Sequence, residues 1–223
     1  MSEKPILFSA PMVRALLSGK TQTRRIVKLT SNGLAKLAGN HAAYLRDGIG
    51  LTWIPFGGAK EQPMPAAKIL EMSPYGSRLW VRETWAAHNC YDSCKPSEIH
   101  DNAEIFYRAD FPSDFEKRHP GVADHRPGKW RPSIFIPRWA SRITLAVKAV
   151  RCERLWSIIE DDAQAEGLLP IANPDYDEDE PCDDPEFSHV AAFARLWDKL
   201  NGKKHPWESD PWVWVIEFER SKP

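Results

Sequence analysis

The chain has 223 residues, of which 42% are hydrophobic and 27% are charged, an ordinary balance for a globular protein with a sizeable core. A length in this range predicts one elaborated domain covering residues 1–223. The formal net charge of −1 argues against non-specific duplex binding, which requires a large excess of Lys and Arg.

The amino terminus opens with polar residues and a short strand. Residues 1–5 lack the apolar run of a signal peptide. No stretch of the chain approaches the ~18 apolar residues of a membrane span. We therefore expect a cytoplasmic protein with no membrane partner. A strand is predicted at 5–8, and a helix follows with Ser9 as its N-cap and Gly19 at its end. Segment 20–25 therefore lies where this helix exits into the next strand.

The rest of the chain predicts short strands with few helices. Residues 31–75 contain scattered Gly, Pro and polar residues with weak periodicity, which indicates a mostly irregular insertion. Further strands are predicted at 78–85, 103–108, 134–137, 142–151 and 212–218, and helices at 157–167 and 187–200. The first of these helices has capping-box spacing between Ser157 and Glu160. These elements predict an α+β protein with a small, curled sheet or barrel.

Segment 19–25, with the sequence GKTQTRR, concentrates basic and hydroxyl side chains. A pocket that desolvates Lys20 would lower its pKa and make it a usable base. Thr23 has a hydroxyl that becomes a nucleophile once a base removes its proton. Arg24 and Arg25 alternate along the following strand, so one should face the pocket and the other the solvent. The alternative is a basic helix exit that only complements the helix dipole.

Residues 17–25 (LSGKTQTRR) resemble the opening motif of the ASCH domain, a family with a PUA-like β-barrel. Residues 76–83 resemble its second barrel strand, except that Ser77 stands where the family usually has Asp. Residues 155–168 resemble the short helix that carries the family's acidic residue, which falls on Glu166.

Two further stretches extend the resemblance to about half of the chain. Residues 214–218 resemble the closing strand, and the pattern along 130–142 is similar to that of the larger ASCH proteins of phage and prophage. The resemblance implies an α+β fold in which a small mixed PUA-like β-barrel is flanked by short helices. Two long insertions, near 31–75 and 87–140, fall outside the family core.

The small bacterial members of the ASCH family are N4-acetylcytidine amidohydrolases with a catalytic Lys, Thr and Glu. The resemblance puts these roles on Lys20, Thr23 and Glu166 and implies no metal and no cofactor. Neutral Lys20 would take the Thr23 proton, and Thr23 would attack the acyl carbon of an N4-acylated cytosine nucleoside. Glu166 would protonate the leaving amine or orient Lys20. Direct activation of water by Lys20 is an equally open alternative.

Five further residues are candidate substrate contacts, each with a structural alternative. Trp85 would stack on a base or pack in the core. Arg25 matches a family arginine that would reach a carbonyl or a phosphate, or else it forms an ion pair with Glu83. Arg24 would contact a phosphate, and Phe8 is more typical of the core than of a pocket.

Two other functions are open from the sequence. A PUA-like RNA-binding module would use Lys20, Arg24 and Arg25 on phosphates and would show a continuous basic groove. A ribonuclease, an activity also described within the ASCH family, would use the same basic residues, although the motif contains no His as a second general acid–base. Hydrogen-bond contact between Glu166 and Lys20 would favour the amidohydrolase.

Two segments raise the question of a metal site. His88, Cys90, Cys94 and His100 form a loose cluster whose inner Cys-x3-Cys spacing zinc permits. The complete pattern is not that of a standard finger, so an ordinary inserted loop is the alternative and no metal is assigned. The acidic run at 175–186 is interpreted as a solvated loop.

Overall fold

A computed structural model describes residues 3–37, 42–46, 49–53, 60, 62–111, 127–172 and 187–221. The α-helices in this part of the chain are α1 (Ala10–Leu17), α2 (Ala66–Met72), α3 (Glu160–Ala165) and α4 (His189–Asn201). The strands are β1 (Glu3–Leu7), β2 (Gln22–Ile26), β3 (Ala35–Lys36), β4 (Ala42–Arg46), β5 (Gly50–Trp53), β6 (Gln62–Pro63), β7 (Arg78–Arg82), β8 (Trp85–Ala87), β9 (Ile105–Tyr107), β10 (Thr144–Arg154), β11 (Ile171–Ala172), β12 (Phe187–Ser188) and β13 (Trp212–Arg220).

The chain divides into two compact units. The first comprises the described residues within Met1–Ser18, Arg78–Ala146 and Arg220–Pro223. The second comprises those within Gly19–Ser77 and Val147–Glu219. The predicted motif at 19–25 and Glu166 both belong to the second unit.

In the first unit, β7 is the central strand. It pairs in parallel with β1 and antiparallel with the first three residues of β10. Strands β8 and β9 form a separate antiparallel pair. Helix α1 begins after Ser9, whose carbonyl accepts a hydrogen bond from the Val13 amide at 2.9 Å, and it buries Val13 and Leu16. Alternation along β1 buries Ile6 in the core.

In the second unit, β13 pairs antiparallel with β2 and also borders β10. Helices α3 and α4 contribute to a buried cluster on one face of this sheet. Its members are Leu155, Ile158, Ala163, Phe193, Trp197, Val213 and Val215. Because side chains alternate along a strand, Trp214 points to the face of β13 opposite Val213 and Val215. Strands β3 to β6 form a further, four-stranded antiparallel sheet.

The mixed α+β class is confirmed, with helices and several small sheets in the described part of the chain. No closed barrel is found among the described strands, so the barrel stays a prediction. No helix among the described residues has the length and apolar character needed to cross a membrane.

Two sequence-based element predictions are wrong. The segment 31–75 was expected to be mostly irregular, yet its described residues include β3 to β6 and α2. A strand was expected at 134–137, where the chain instead forms a 3-10 turn at Ser133–Phe135. Proline at position 132 starts this turn, and its fixed φ favours a turn over a strand ladder.

The capping box predicted between Ser157 and Glu160 is also wrong. Helix α3 begins at Glu160, with Ile159 at the N-cap and no side-chain cap. The Glu160 carboxylate instead accepts hydrogen bonds from the Ser188 hydroxyl and the His189 amide at the start of α4. The acidic run at 175–186 lies outside the described residues.

Candidate functional site

A glycine-dependent turn positions Lys20 at the entrance to β2. Gly19 adopts a φ of +112°, a conformation that residues with a Cβ rarely reach, and it separates α1 from the strand. The Thr21 amide then donates to the Ala165 carbonyl at 3.0 Å, and the Thr21 carbonyl accepts from the Phe218 amide at 2.9 Å. These two bonds fix the backbone beside Lys20 to the end of α3 and to β13.

Lys20 and Glu166 form a buried ion pair. The Lys20 Nζ donates to the Glu166 Oε2 at 2.5 Å and to the Glu166 backbone carbonyl at 2.8 Å. Lys20 is 7% exposed and Glu166 5% exposed, so water screens the contact little. Glu166 is the C-cap of α3, where helix carbonyls lack partners within the helix and attract a cation.

Burial is the largest influence on the pKa of Lys20. It lowers the pKa of Lys20, the nearby charges of Arg25 and Arg24 lower it further, and the Glu166 carboxylate opposes the change. The net direction is downward, toward the neutral amine that a general base requires.

Arg24 anchors the far side of the Glu166 carboxylate. Its Nη2 lies 2.8 Å from the Asp162 Oδ2 and 3.0 Å from the Glu153 Oε1. Its Nη1 lies 3.5 Å from the Glu166 Oε1. The guanidinium also stacks 5.7 Å from the Phe193 ring centroid. Arg24 is 5% exposed, so this arginine faces the interior and is occupied by three carboxylates.

A second arginine, Arg151, contacts two of these three carboxylates. Arg151 donates to the Glu153 Oε2 and the Asp162 Oδ1, each at 2.9 Å, and also pairs with Glu217. The Gln22 amide adds a hydrogen bond to the Asp162 Oδ1 at 3.1 Å. Asp162 and Glu153 are therefore shared between Arg24 and Arg151. We call these two carboxylates the acidic frame of Arg24, because they fix the position of its guanidinium.

The charges around Asp162 favour its ionised form. Burial alone would raise the pKa of Asp162, but Arg24, the Gln22 hydrogen bond and Arg151 outweigh it and lower the pKa. Asp162 thus stays a carboxylate at neutral pH and keeps its hold on both arginines.

Thr23 lies on β2 and is 1% exposed. It stands opposite Ile216 in the β2–β13 register. Alternation puts Thr23 and Arg25 on one face of β2 and Arg24 on the other. Within the described residues, both hydrogen bonds donated by the Lys20 Nζ go to Glu166, and none joins Lys20 to Thr23. The structure thus brings Lys20 and Arg24 together around Glu166. For Thr23 it shows closeness to Lys20 along the chain only.

Arg25 stands opposite Trp214 in the same register. The ring of Tyr75 meets Trp214 edge-on, with centroids 6.5 Å apart. Burial raises the pKa of Tyr75 to about 12, with the charge of Arg25 opposing, so the phenol keeps its proton beside Arg25. A cleft with a volume of about 340 Å³ opens here. It is lined by Ile26, Lys28, Lys36, Leu37, Pro74, Tyr75 and Trp214.

The remaining sequence candidates belong to the first unit. Phe8 is 2% exposed and lies in the core. Trp85 is fully buried, which agrees with the core-packing alternative, and Arg131 stacks on its ring at 5.6 Å. Glu83 accepts two hydrogen bonds from Arg142, at 2.9 and 3.1 Å, so the structure supplies it with a partner inside its own unit.

The His–Cys segment forms local contacts. His88 Nδ1 lies 3.2 Å from the Cys90 sulfur, and Cys94 packs against a buried apolar cluster. Among the residues that the structure describes, no three His, Cys, Asp or Glu side chains gather in a way that could hold a metal ion.

Sequence reasoning missed the acidic frame around Arg24. Arg151 and Glu153 lie two positions apart, and so on one face of β10, a strand that is otherwise mostly apolar. Two charged side chains at such positions are a sequence signal from which buried ion pairs could have been predicted. Asp162 falls within the helix predicted at 157–167, and no ion pair was predicted for it. Tyr75 fell in a segment predicted to be irregular.

Comparisons of the chain with protein-family models, with curated proteins and with solved structures give no match.

Proposed function

We propose that this protein is an amidohydrolase that deacylates N4-acetylcytidine or a related N4-acylated cytosine nucleoside. The observation that carries the proposal is the buried contact between the Lys20 Nζ and the Glu166 Oε2 at 2.5 Å. This contact links the helix-exit motif to the acidic residue on which the ASCH resemblance depends. The proposal includes an ASCH-type, PUA-like arrangement of the sheets.

The chemistry assigns one task to each side chain. Neutral Lys20 removes a proton from the Thr23 hydroxyl or from a water molecule, and the resulting oxygen attacks the acyl carbon. The bond between that carbon and N4 breaks, and N4 receives a proton by way of Glu166 and leaves as the amine of cytosine. If Thr23 is the nucleophile, water then hydrolyses its acyl ester and releases the carboxylic acid.

The surroundings of Lys20 support a catalytic role over a phosphate-binding role. A phosphate contact needs an accessible cation, whereas Arg24 is 5% exposed and bound by Asp162 and Glu153. Burial lowers the pKa of Lys20, so the neutral amine that can accept a proton is present at a lower pH than in an ordinary lysine. The RNA-binding and ribonuclease hypotheses both require these residues to act as cations.

A product survey tests the proposal. The protein is incubated with N4-acetylcytidine and, separately, with a short single-stranded RNA, and the products are separated by chromatography with mass detection. We expect cytidine and acetate in equal amounts and intact RNA. Cleaved RNA would favour the ribonuclease, and neither product with retention of the RNA would favour the binding module; either outcome contradicts the proposal.

A further inference from the structure

The cleft beside Arg25 combines aromatic and cationic groups. Tyr75 and Trp214 contribute two rings in an edge-on arrangement, and aliphatic side chains complete the wall. Its volume of about 340 Å³ falls at the lower end of the range for small-molecule sites, roughly 300–1,000 Å³. A space of this size suits a small ligand of nucleotide dimensions better than a folded partner.

Two lysines give the cleft its charge. Lys28 and Lys36 are exposed, and the Lys36 amide donates to the Lys28 carbonyl at 2.8 Å, which holds the two residues side by side. Within the part of the chain that the structure describes, no residue lining the cleft is acidic. Among the described residues, neither lysine forms an ion pair with a carboxylate. Two exposed lysines on one cleft, neither of them paired with a described carboxylate, attract an anion such as a phosphate.

Arg25 lies beside this cleft in the β2–β13 pairing. It precedes Ile26, which lines the cleft, and stands opposite Trp214. Burial lowers the pKa of Arg25. A ligand in the cleft therefore lies beside Arg25, two positions along β2 from Thr23.

We propose that the Lys28–Lys36 cleft binds the phosphate of a nucleoside monophosphate, so that an N4-acylated cytidine monophosphate is preferred as substrate over the free nucleoside. The inference depends on the proposed function for the identity of the base and of the acyl group. The phosphate site itself depends only on the cleft and its two lysines.

The test measures binding without turnover. Titration calorimetry compares cytidine 5′-monophosphate with cytidine, neither of which has an acyl group to lose. We expect the monophosphate to bind at least about tenfold more tightly, because two charge-assisted contacts are added. We also expect its affinity, unlike that of cytidine, to fall as salt is raised.

Variants locate the site. Lys28→Gln and Lys36→Gln change exposed side chains and are each expected to weaken monophosphate binding about tenfold, with cytidine binding unchanged. The matched control is Lys148→Gln, since Lys148 is an exposed lysine of the same unit that pairs with Glu219. Equal affinities for the two ligands, or unchanged monophosphate binding in both cleft variants, would overturn the inference. So would a Lys28-dependent preference for a short RNA over the monophosphate.

Failure of this inference and failure of the proposed function are distinguishable. Lysine-dependent monophosphate binding without any deacylation would retain the phosphate site and overturn the amidohydrolase. Deacylation of free N4-acetylcytidine at the same kcat/KM as its monophosphate would retain the amidohydrolase and overturn the phosphate site.

Discussion

The Lys20 ammonium and the Glu166 carboxylate meet at 2.5 Å although 146 positions separate them in the sequence. The turn after Gly19 presents the lysine, and the end of α3 presents the carboxylate. Both side chains are almost completely removed from solvent. Each therefore depends on the other for compensation of its charge.

Glu166→Gln should destabilise the fold. The substitution keeps the shape of the side chain but leaves the buried Lys20 without its anion, and breaking a buried pair in this way costs about 3–5 kcal/mol. Urea unfolding measures the loss. Glu208→Gln, at an exposed position of the same unit, is the control and should change little. A Glu166→Gln variant as stable as the control would show that the pair is not charged in the folded protein.

Turnover should rise with pH through the lowered pKa of Lys20. Burial, with Arg25 and Arg24, lowers this pKa, so the neutral amine forms below the pH at which an ordinary lysine loses its proton. Between the lowered pKa of Lys20 and the ordinary pKa of a lysine, the folded state binds fewer protons than the unfolded state. The free energy of unfolding therefore also rises with pH in this window. A pH profile of kcat/KM, paired with urea unfolding, checks both. Activity that falls across this window would mean that the charged form is the active one.

Substitutions of Thr23 distinguish the two forms of the mechanism, in which either the Thr23 hydroxyl or a water molecule attacks the acyl carbon. If its hydroxyl is the nucleophile, Thr23→Val should reduce kcat by at least ~10²-fold, because the acyl-enzyme route is lost while the shape is kept. Thr23→Ser retains a hydroxyl and should keep measurable turnover. The initial rate of deacylation is the measurement. Wild-type turnover in the valine variant would assign the attack to a water molecule activated by Lys20.

Asp162→Asn should loosen the frame around Arg24 and Arg151. Loss of the carboxylate leaves donors of the buried Arg24 and of the partly exposed Arg151 underpaired, at a cost of about 1–3 kcal/mol near neutral pH. The folded-state pKa of Asp162 is lowered, so its contribution is present above the unfolded-state pKa and is lost as pH falls through the folded value. The variant and wild type should therefore converge in stability at acid pH.

Asp161→Asn is the matched control for this measurement, because Asp161 is the exposed neighbour of Asp162 on α3. It should remain close to wild type across the pH range. A constant stability difference between Asp162→Asn and wild type from neutral to acid pH would contradict the role given to the ionised carboxylate.

The sequence was informative where local rules operate. A helix that ends at a glycine, followed by a basic strand, could be predicted because Gly19 and the apolar spacing before it are local signals. The Lys20–Glu166 contact followed only from a motif resemblance, and the hydrogen-bond distance agrees with that prediction. The ion pairs of Arg24 could not be predicted, because Glu153 and Asp162 come from a distant strand and helix.

Other failures have equally specific causes. Strands β3 and β6 have two residues each, too few to show a period-two pattern, so their segment was predicted to be irregular. The capping box at Ser157 failed because Glu160 serves another helix, α4, 28 positions away. In the first case the local signal was missing, and in the second a tertiary contact overrode it.

The most direct test of the central claim is the rate of cytidine release from N4-acetylcytidine by wild-type protein and by Lys20→Ala, followed by chromatography. We expect release by the wild type and a reduction of ~10²–10⁴-fold in Lys20→Ala, the range for loss of a general base. Lys148→Ala, at an exposed lysine of the same unit, should match the wild type. No release by the wild type, or equal rates for wild type and Lys20→Ala, would contradict the assignment of Lys20 as the catalytic base.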